Sequence, residues 1–461
     1  MKKIISILLV IVLVLGLCAC GESEPAEEAG LKVGYHKINI TPSYTVNLTG
    51  YGDDSIRTSD KGSLRGYLYA TCIAVNSGED TILLITADTL AFTLDRQKEF
   101  RINISNSTGI PEENIFFGAT HCHSAPSLSG QYKGDLNTWL VTAAQNAIAD
   151  MSSATMSACK PTYEGMTFVR HYQNDDGTYV GSNFGYWGNL VKHATDPDST
   201  GVLLKFDREG DKKDVLMVNW QAHSDSGSDG EIGRYNIAPS WTGHLRDKIE
   251  QETGLLVAYF TGASGNLNKD SKIKSEAHGL NWEGYGTKMG ELIVGSLDQL
   301  QPVGGTDIKV SKQIVEVENN HQWDHMVVQA NDVVEYWNQN NDSAAATQYA
   351  RKYDISSWHH ARAIISQASR GKTDQLEINA FSIGDIGFIT GTYEMFCGSG
   401  MYVKENSPFE TTFIITGNSS YIPTRDAYET YRCYESDTSR VAVGTAELLE
   451  GKYVEMLNAL K

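Results

Sequence analysis

Residues 115–126 read Ile-Phe-Phe-Gly-Ala-Thr-His-Cys-His-Ser-Ala-Pro, a short apolar run followed by two histidines. The run predicts a buried strand that ends at the histidine pair. Because successive side chains of a strand alternate between its faces, we expect His121 and His123 to project to the same side. Two imidazoles placed in this way suit a hydrolytic metal, chiefly zinc. Paired core or surface histidines are the alternative, so the rest of the chain must decide.

Further candidate ligands follow other apolar runs. His223 comes shortly after a predicted strand at 215–220, and Glu394 follows predicted strands at 375–391. Polar residues that end buried strands are where the sites of open sheets collect. Tyr421 is a further oxygen candidate, and hydrolytic zinc sites take three or sometimes four protein ligands. Considered alone, His223 is more typical of a hydrogen-bonded core histidine, and Tyr421 is more typical of simple packing.

Predicted strands and helices alternate along the chain, which is typical of an α/β domain. Strands are predicted at 64–76, 81–87, 202–206, 215–220, 255–260 and 375–391, and helices at 94–107, 135–151, 241–252, 283–299, 324–352, 357–370 and 441–460. We find no nucleotide fingerprint and no internal repeat. Because no Pro/Gly/Ser-rich linker interrupts the chain after residue 30, we expect a single domain at 31–461.

The N-terminus predicts export. Two lysines precede an apolar run at 4–17, which is too short for a transmembrane helix and suits a signal peptide. The segment that ends at Cys20 resembles a bacterial lipobox, so we expect residues 1–19 to be a lipoprotein signal and Cys20 to be lipidated. An acidic tether at 20–30 follows. The mature protein would then be held on the outer face of a bacterial cell membrane, although ordinary secretory cleavage near Ala19 is the alternative.

The charge of the chain excludes some partners. The 38 Lys and Arg against 57 Asp and Glu leave a formal charge of −19, which argues against nucleic acid and against adhesion to anionic lipid surfaces. Five cysteines lie beyond the signal region, an odd number at wide spacing that is no disulfide framework, although one or two bridges remain open. The sequence leaves the oligomeric state undetermined.

Taken in order, the motifs of the chain resemble the catalytic domain of the neutral/alkaline, non-lysosomal ceramidase family. The resemblance covers nearly all of the mature chain and is carried by segments 33–42, 48–52, 119–126, Arg170 with 176–177, 196–197, 219–223, 262–268, 392–394, 421–424 and 444–447. Each motif is weak alone, but their ordered set is specific. The resemblance implies an α/β fold, a single large mixed-sheet zinc-hydrolase domain.

The resemblance also implies roles for individual residues. One zinc ion per chain would be bound by four ligands, namely His121, His223, Glu394 and Tyr421. His123 would lie behind the ligands or face the substrate, where it could transfer a proton. Arg170 matches a pocket arginine that could hold an oxyanion or a substrate hydroxyl, and a surface arginine is the alternative.

Two departures from the family pattern bear on the substrate. The family's Gly-Asp-x-Ser-Pro motif carries a serine with a catalytic role, but here the segment at 265–268 reads Gly-Asn-Leu-Asn. Asn268 cannot act as a nucleophile, although its amide can donate a hydrogen bond to an oxyanion. The resemblance is also confined to the catalytic domain, without the β-sandwich of full ceramidases. A further difference is that Thr392 and Tyr393 replace the Pro-Gly of the family's glutamate turn.

The expected activity is zinc-dependent hydrolysis of an N-acyl amide in a small amphipathic substrate, such as the conversion of N-acyl sphingosine to fatty acid and sphingoid base. An alternative keeps the metal but changes the substrate to a cell-wall, glycan or host-derived amide or ester. A third hypothesis is a non-catalytic binding lipoprotein. A deep apolar pocket would favour the first hypothesis and a shallow polar pocket the second.

Overall fold

A computed structural model describes residues 30–50, 57–181, 188–224, 232–273, 279–417 and 420–461. The signal peptide, Cys20 and the tether as far as Ala29 lie outside these ranges, so their assignments stay predictions. Within the described ranges, no helix combines the length and the apolar character needed to cross a membrane.

The described residues form strands and helices in alternation. The strands are β1 Lys32–Asn39, β2 Asn47–Leu48, β3 Arg57–Thr58, β4 Tyr69–Asn76, β5 Thr81–Ala87, β6 Ile115–Ala119, β7 Ser152–Cys159, β8 Phe168–Val169, β9 His171–Asn174, β10 Tyr179–Gly181, β11 Leu190–His193, β12 Val202–Arg208, β13 Val215–Trp220, β14 Leu256–Thr261, β15 Leu267–Asn268, β16 Gln301–Val303, β17 Ile308–Glu318, β18 Thr373–Ile383, β19 Ile386–Gly391, β20 Glu394–Met395, β21 Thr411–Ile415 and β22 Tyr421–Ile422. The helices are α1 Leu94–Thr108, α2 Gly130–Ala149, α3 Ser240–Thr253, α4 Trp282–Val294, α5 Val327–Asn340, α6 Ser343–Ala350, α7 Trp358–Ala368, α8 Cys397–Asn406, α9 Arg425–Glu429, α10 Tyr434–Thr438 and α11 Thr445–Leu460.

Two sheets organise the fold. The larger has nine strands in the order β14-β13-β12-β7-β1-β4-β5-β6, with β16 also paired to β7. It is mixed, because β13–β14 and β5–β6 are parallel while the other pairs are antiparallel. The smaller sheet has the order β17-β18-β19-β21, and only its β19–β21 pair is parallel. These sheets confirm the expected α/β, mixed-sheet fold class.

The sheets pack face to face between two layers of helices. An apolar core joins them, in which the rings of Phe116 and Phe381 stack with their centroids 4.1 Å apart. Helices α1 and α2 cover one half of the outer face of the large sheet, and α3 and α4 cover the other half. Helices α8 and α11 cover the small sheet. Strands such as β5 are buried on both faces, which explains their nearly continuous apolar sequence.

One sequence prediction failed at a helix boundary. The helix predicted at 324–352 is two helices, α5 and α6, because Asn341 adopts a left-handed backbone with φ 49°. Asp342 then caps α6, since its Oδ1 accepts hydrogen bonds from the backbone N–H groups of Ala344 and Ala345 at 3.0 Å each. Together with α7, these helices form an insertion in the sequence between β17 and β18, and they pack around an apolar cluster of their own.

The cysteines in the described part of the chain do not form disulfides. All five cysteines in the described residues are buried and free. The bridges that the sequence left open are therefore not formed here.

The two sheets are also joined by polar contacts near the carboxyl ends of their strands. The amide of Asn219 in β13 donates hydrogen bonds to the carbonyls of Phe260 at 2.8 Å and Ile414 at 2.9 Å, and its oxygen accepts one from the Ile414 N–H at 3.2 Å. The hydroxyl of Thr261 donates to the Ala119 carbonyl at 2.8 Å, and the Thr416 N–H donates to the Thr261 carbonyl at 3.1 Å. The ends of β6, β14 and β21 are therefore held together.

We expect Asn219→Leu to lower the free energy of unfolding by about 3 kcal/mol, because it leaves buried backbone groups of β14 and β21 without a partner. Urea unfolding measures the loss. The matched control is Asn340→Leu, at an exposed position where the side chain bonds only to its own helix, with an expected change within about 0.5 kcal/mol. Equal losses in the two variants would contradict the role given to Asn219.

Candidate metal centre

The predicted ligands all follow strands whose carboxyl ends meet at one edge. His121 comes two residues after β6, and His223 comes three residues after β13. Glu394 follows β19 and Tyr421 follows β21. Because β6, β14 and β21 are tied to one another at these ends, ligands that are distant in sequence come together in space.

The backbone at the histidine pair differs from the sequence prediction. The strand ends at Ala119, and His121 adopts a left-handed backbone with φ 56°, so strand alternation does not place the imidazoles. They still lie together, with ring centroids 4.9 Å apart, because the chain turns at this point. Cys122 points into the core, where its thiol donates to the Ala238 carbonyl at 3.0 Å. A strained non-glycine residue of this kind is characteristic of functional sites.

The imidazoles of His121 and His223 face each other through ring nitrogens that carry no hydrogen. The Nδ1 atom of His121 lies 3.0 Å from the Leu90 carbonyl and that of His223 lies 3.3 Å from the Ser264 carbonyl, so each Nδ1 carries the ring hydrogen. Their Nε2 atoms face each other at 3.0 Å. Burial lowers the pKa of His121 to about 4 and that of His223 well below its usual value, so both rings are neutral at pH 7. Two lone pairs at this distance are compatible with a bound cation between them.

Glu394 and Tyr421 complete the cluster. They are paired residues of the parallel β20–β22 ribbon. A carboxylate oxygen of Glu394 lies 3.4 Å from His121 Nε2. Burial raises the pKa of Glu394 to about 8, while Arg170 and a hydrogen bond from Tyr421 oppose that rise. Two neutral imidazoles, a carboxylate and a phenol fit a divalent metal of the zinc type, and binding would favour the ionised carboxylate.

His123 lies with the other two imidazoles. The donor atoms of His121, His123 and His223 are within 4.8 Å of one another, and the His123 and His223 ring centroids are 5.1 Å apart. Gly50 packs directly on His123, because a Cβ at that glycine would come within 2.7 Å of the His123 Cα. The structure therefore makes His123 a third imidazole of the cluster; whether it binds metal or transfers protons stays a prediction.

Arg170 lies beside Tyr421. Its Nη2 donates to the Tyr421 hydroxyl at 3.2 Å and to the Gly265 carbonyl at 2.9 Å. Its Nε donates to the carboxylate of Glu435 at 2.7 Å. The guanidinium is therefore buried and ion-paired, and its nearest partner at the cluster is a candidate ligand.

The position of Asn268 is set by its strand. It lies in β15 opposite Phe168, and its Oδ1 is buried without a hydrogen-bond partner among the described residues. The neighbouring Asn266 has a structural role, since its side chain accepts from the Cys397 N–H at 2.9 Å. The catalytic role predicted for Asn268 stays a prediction.

Sequence reasoning missed two residues near the cluster. Glu435 is the ion-pair partner of Arg170, and Tyr434 packs its ring against that of Tyr421 with centroids 6.1 Å apart. Burial raises the pKa of Tyr434 to about 12. Both belong to α10, a short helix without a motif. The need of a buried arginine for a carboxylate was the available signal, but it does not say which carboxylate.

A cavity of about 340 Å³ adjoins the loop of the histidine pair. Its walls contain Thr89 and Leu90, whose carbonyls bond to the Cys122 N–H and to the His121 ring. Hydroxyl, charged and aliphatic side chains are mixed around it: Thr49, Thr89, Leu90, Ala91, Thr93, Asp95, Arg96, Ser127 and Leu128. This cavity is therefore partly polar.

The fold and the cluster define an α/β protein with a candidate metal centre at the carboxyl ends of its strands. No family model matches the sequence, and no curated protein matches it. Among solved structures, the chain is similar to the neutral ceramidase of Pseudomonas aeruginosa, with a TM-score of 0.68 and 14% identity over 94% of this chain and 75% of that one. A ceramidase complexed with C2 matches with a TM-score of 0.68 and 13% identity over the same shares. The chain has the neutral ceramidase fold, which confirms the resemblance at the level of fold.

Replacing His223 should remove metal binding, because only one of the facing imidazoles would remain. We expect one zinc ion per chain in the wild type and less than about a tenth of that in His223→Ala after equilibration at micromolar zinc. Elemental analysis of the dialysed proteins measures the content. The control is His36→Ala, a partly exposed histidine of β1 outside the cluster, which should keep its zinc. Full zinc content in His223→Ala would contradict the assignment.

The raised pKa of Glu394 predicts a pH dependence in metal-free protein. The pKa of Glu394 in the folded protein is about 8, against 4.5 for an ordinary glutamate carboxyl. Below pH 4.5, Glu394 is protonated in both the folded and the unfolded state and does not change the free energy of unfolding. As the pH rises from 4.5 to about 8, the free energy of unfolding falls by at most about 1.4 kcal/mol per pH unit. Urea unfolding in chelator should show the stability of Glu394→Gln relative to wild type increasing from about pH 5 to pH 8. Parallel curves for the two proteins would contradict it.

Proposed function

We propose that the protein is a zinc-dependent hydrolase that cleaves an N-acyl amide bond, with ceramide-like compounds as the first substrate class. The observation that carries the proposal is the pair of facing Nε2 atoms of His121 and His223, with the Glu394 carboxylate beside them. The neutral ceramidase fold supports it. The donor set is that of hydrolytic zinc sites.

The residues of the cluster divide the chemistry among them. His121, His223, Glu394 and Tyr421 would hold the zinc. When bound, zinc supplies a Lewis acid that polarises an amide carbonyl and lowers the pKa of water. Other side chains of the site would transfer protons and orient the substrate.

Proton transfer falls to His123. Its imidazole is buried at the cluster, and burial holds its pKa well below the usual value, so the ring is neutral and would take a proton from the attacking water. It would pass that proton to the leaving amine. Asn268 would donate a hydrogen bond from its amide to the developing oxyanion. Arg170 would assist less directly, because Glu435 already neutralises its charge. No covalent intermediate is needed, since an asparagine holds the place of the family's serine.

A second candidate changes only the substrate. The cavity beside the histidine loop has a partly polar wall, with Asp95 and Arg96 among its residues. A fatty acyl chain would be better matched by an apolar wall. This favours an N-acyl compound of cell-wall, glycan or host origin, or an ester, as the alternative. A non-catalytic binding lipoprotein is a weaker third candidate, because all four candidate ligands are present and clustered.

We also propose that the protein is exported and anchored by a lipid on Cys20, on the outer face of a bacterial cell membrane. The apolar run at 4–17 and the lipobox-like segment support this proposal. An amphipathic substrate would then be met at the membrane surface.

Release of free fatty acid from N-acyl sphingosine by the purified protein tests the function. We expect chelator to abolish release and zinc to restore it. Asn268→Ala should lower turnover about 100- to 1000-fold and keep zinc, because it removes one oxyanion donor. His223→Ala should lose both zinc and turnover. The same preparations should be assayed on an N-acetylated amino sugar and on a short-chain ester.

Each outcome has a distinct meaning. If zinc-loaded protein releases the acyl group only from the sugar or the ester, the second candidate is the function. No release from any substrate by folded, zinc-loaded protein would favour the binding protein. Release by His223→Ala equal to that of the wild type would overturn the zinc mechanism itself.

A further inference from the structure

Glu435 lies at the centre of a buried ionic network next to the candidate metal centre. Its Oε1 accepts from the Arg170 Nε at 2.7 Å and lies 2.5 Å from Nη2 of the same residue. Its Oε2 lies 2.8 Å from the His171 Nε2. The carboxylate is fully buried, and the pKa of Glu435 is held far below its usual range by Arg170 and His171 against the effect of burial. Glu435 is therefore ionised.

The network continues to a candidate ligand. The Arg170 Nη2 that pairs with Glu435 also donates to the Tyr421 hydroxyl, and the guanidinium lies 5.7 Å from the centre of the Tyr421 ring. Tyr421 in turn hydrogen bonds to Glu394. A guanidinium fork is rigid and planar, so fixing its Nε side fixes where Nη2 points. Glu435, together with the Gly265 carbonyl that accepts from Nη2 at 2.9 Å, therefore orients the Arg170 Nη2 that donates to Tyr421.

His171, Cys433 and Glu435 are also close enough together to hold a metal. Two observations oppose that interpretation. The carboxylate already bonds to a resident cation, Arg170, and to the imidazole. The Cys433 side chain caps α10 by accepting from the backbone N–H of Ser436. The donor atoms are thus satisfied by an ion pair and a helix cap, as expected for a positioning network.

The helix that carries Glu435 offers a matched control. Asp437 lies two residues further along α10 and is 2% exposed, against 0% for Glu435. Its carboxylate faces the helical insertion between β17 and β18, where it accepts from the Ser356 hydroxyl at 2.6 Å. Arg432 pairs with its other oxygen at 2.8 Å. The two acids are equally buried on one helix, but only Glu435 reaches the cluster.

We propose that Glu435 is a positioning residue of the metal centre, which acts through Arg170 to hold the oxygen of Tyr421 in place as a ligand. The inference rests on the proposed function, since it needs a metal in the cluster. It assigns a role to a residue outside the ligand set and makes α10 part of the site. Loss of Glu435 should alter ligation by Tyr421 before it alters metal uptake.

The test uses the purified protein loaded with copper(II) as the probe. A tyrosine ligand gives copper(II) a visible charge-transfer band, and we expect the wild type to show it and Tyr421→Phe to lose it. Glu435→Gln should bind one copper per chain but lose the band. Its zinc form should turn over substrate about 10-fold or more slowly. Asp437→Asn should keep both band and rate.

A second variant covers the case in which Glu435→Gln does not fold. Arg170→Lys keeps a cation beside Glu435 but loses the fork that reaches Tyr421, so it should also lose the band with copper bound. A band kept by copper-loaded Glu435→Gln would overturn the inference. Two metal ions per chain, with the second lost in Cys433→Ser, would overturn it in favour of a second metal site.

The inference and the proposed function fail differently. A wild type that takes up no metal would overturn both at the first step. A wild type that shows the band, loses it in Glu435→Gln and yet hydrolyses nothing would support the positioning role and remove the hydrolase. A copper-loaded wild type without the band would overturn only the role of Tyr421 and Glu435.

Discussion

Two buried imidazole nitrogens, each able only to accept, face each other at 3.0 Å where two sheets converge. Neutral lone pairs held this close in a buried site repel, and desolvation makes protonation of either ring unfavourable. The backbone carbonyls of Leu90 and Ser264 fix the tautomers that create the conflict. The cluster is therefore organised around a positive charge, and the neighbouring carboxylate and phenol are placed as a cation requires.

The sequence predicted which residues come together better than it predicted how the backbone holds them. His223 and Glu394 were found because each follows an apolar strand. The turn at His121 was missed, since nothing in a His-x-His pattern distinguishes a strand from a left-handed residue just past its end. The break at Asn341 was also missed, although the sequence contains its signal: an asparagine that ends one helix is followed by an aspartate that caps the next. Glu435 was out of reach, since its role arises only from tertiary contact with Arg170.

The features that bear on the type of reaction differ from the features that bear on the class of substrate. The fold is that of the neutral ceramidases, and the cluster is compatible with a metal. The partly polar cavity bears on which substrate could bind. The asparagine in place of the family's serine bears on how an oxyanion would be stabilised. A metal centre can be kept while the pocket around it changes, since function depends on sites placed on a fold.

The ligands are spread over three hundred positions of the chain, from His121 to Tyr421. The chain is synthesised from its N-terminus, so His121 and His223 are made before Glu394 and Tyr421, which pair in the β20–β22 ribbon. Any metal captured early would meet only two nitrogens and would be held by affinity order rather than by geometry, which favours copper over zinc. A metal would therefore meet the complete donor set only after the β20–β22 ribbon, which carries Glu394 and Tyr421, has formed.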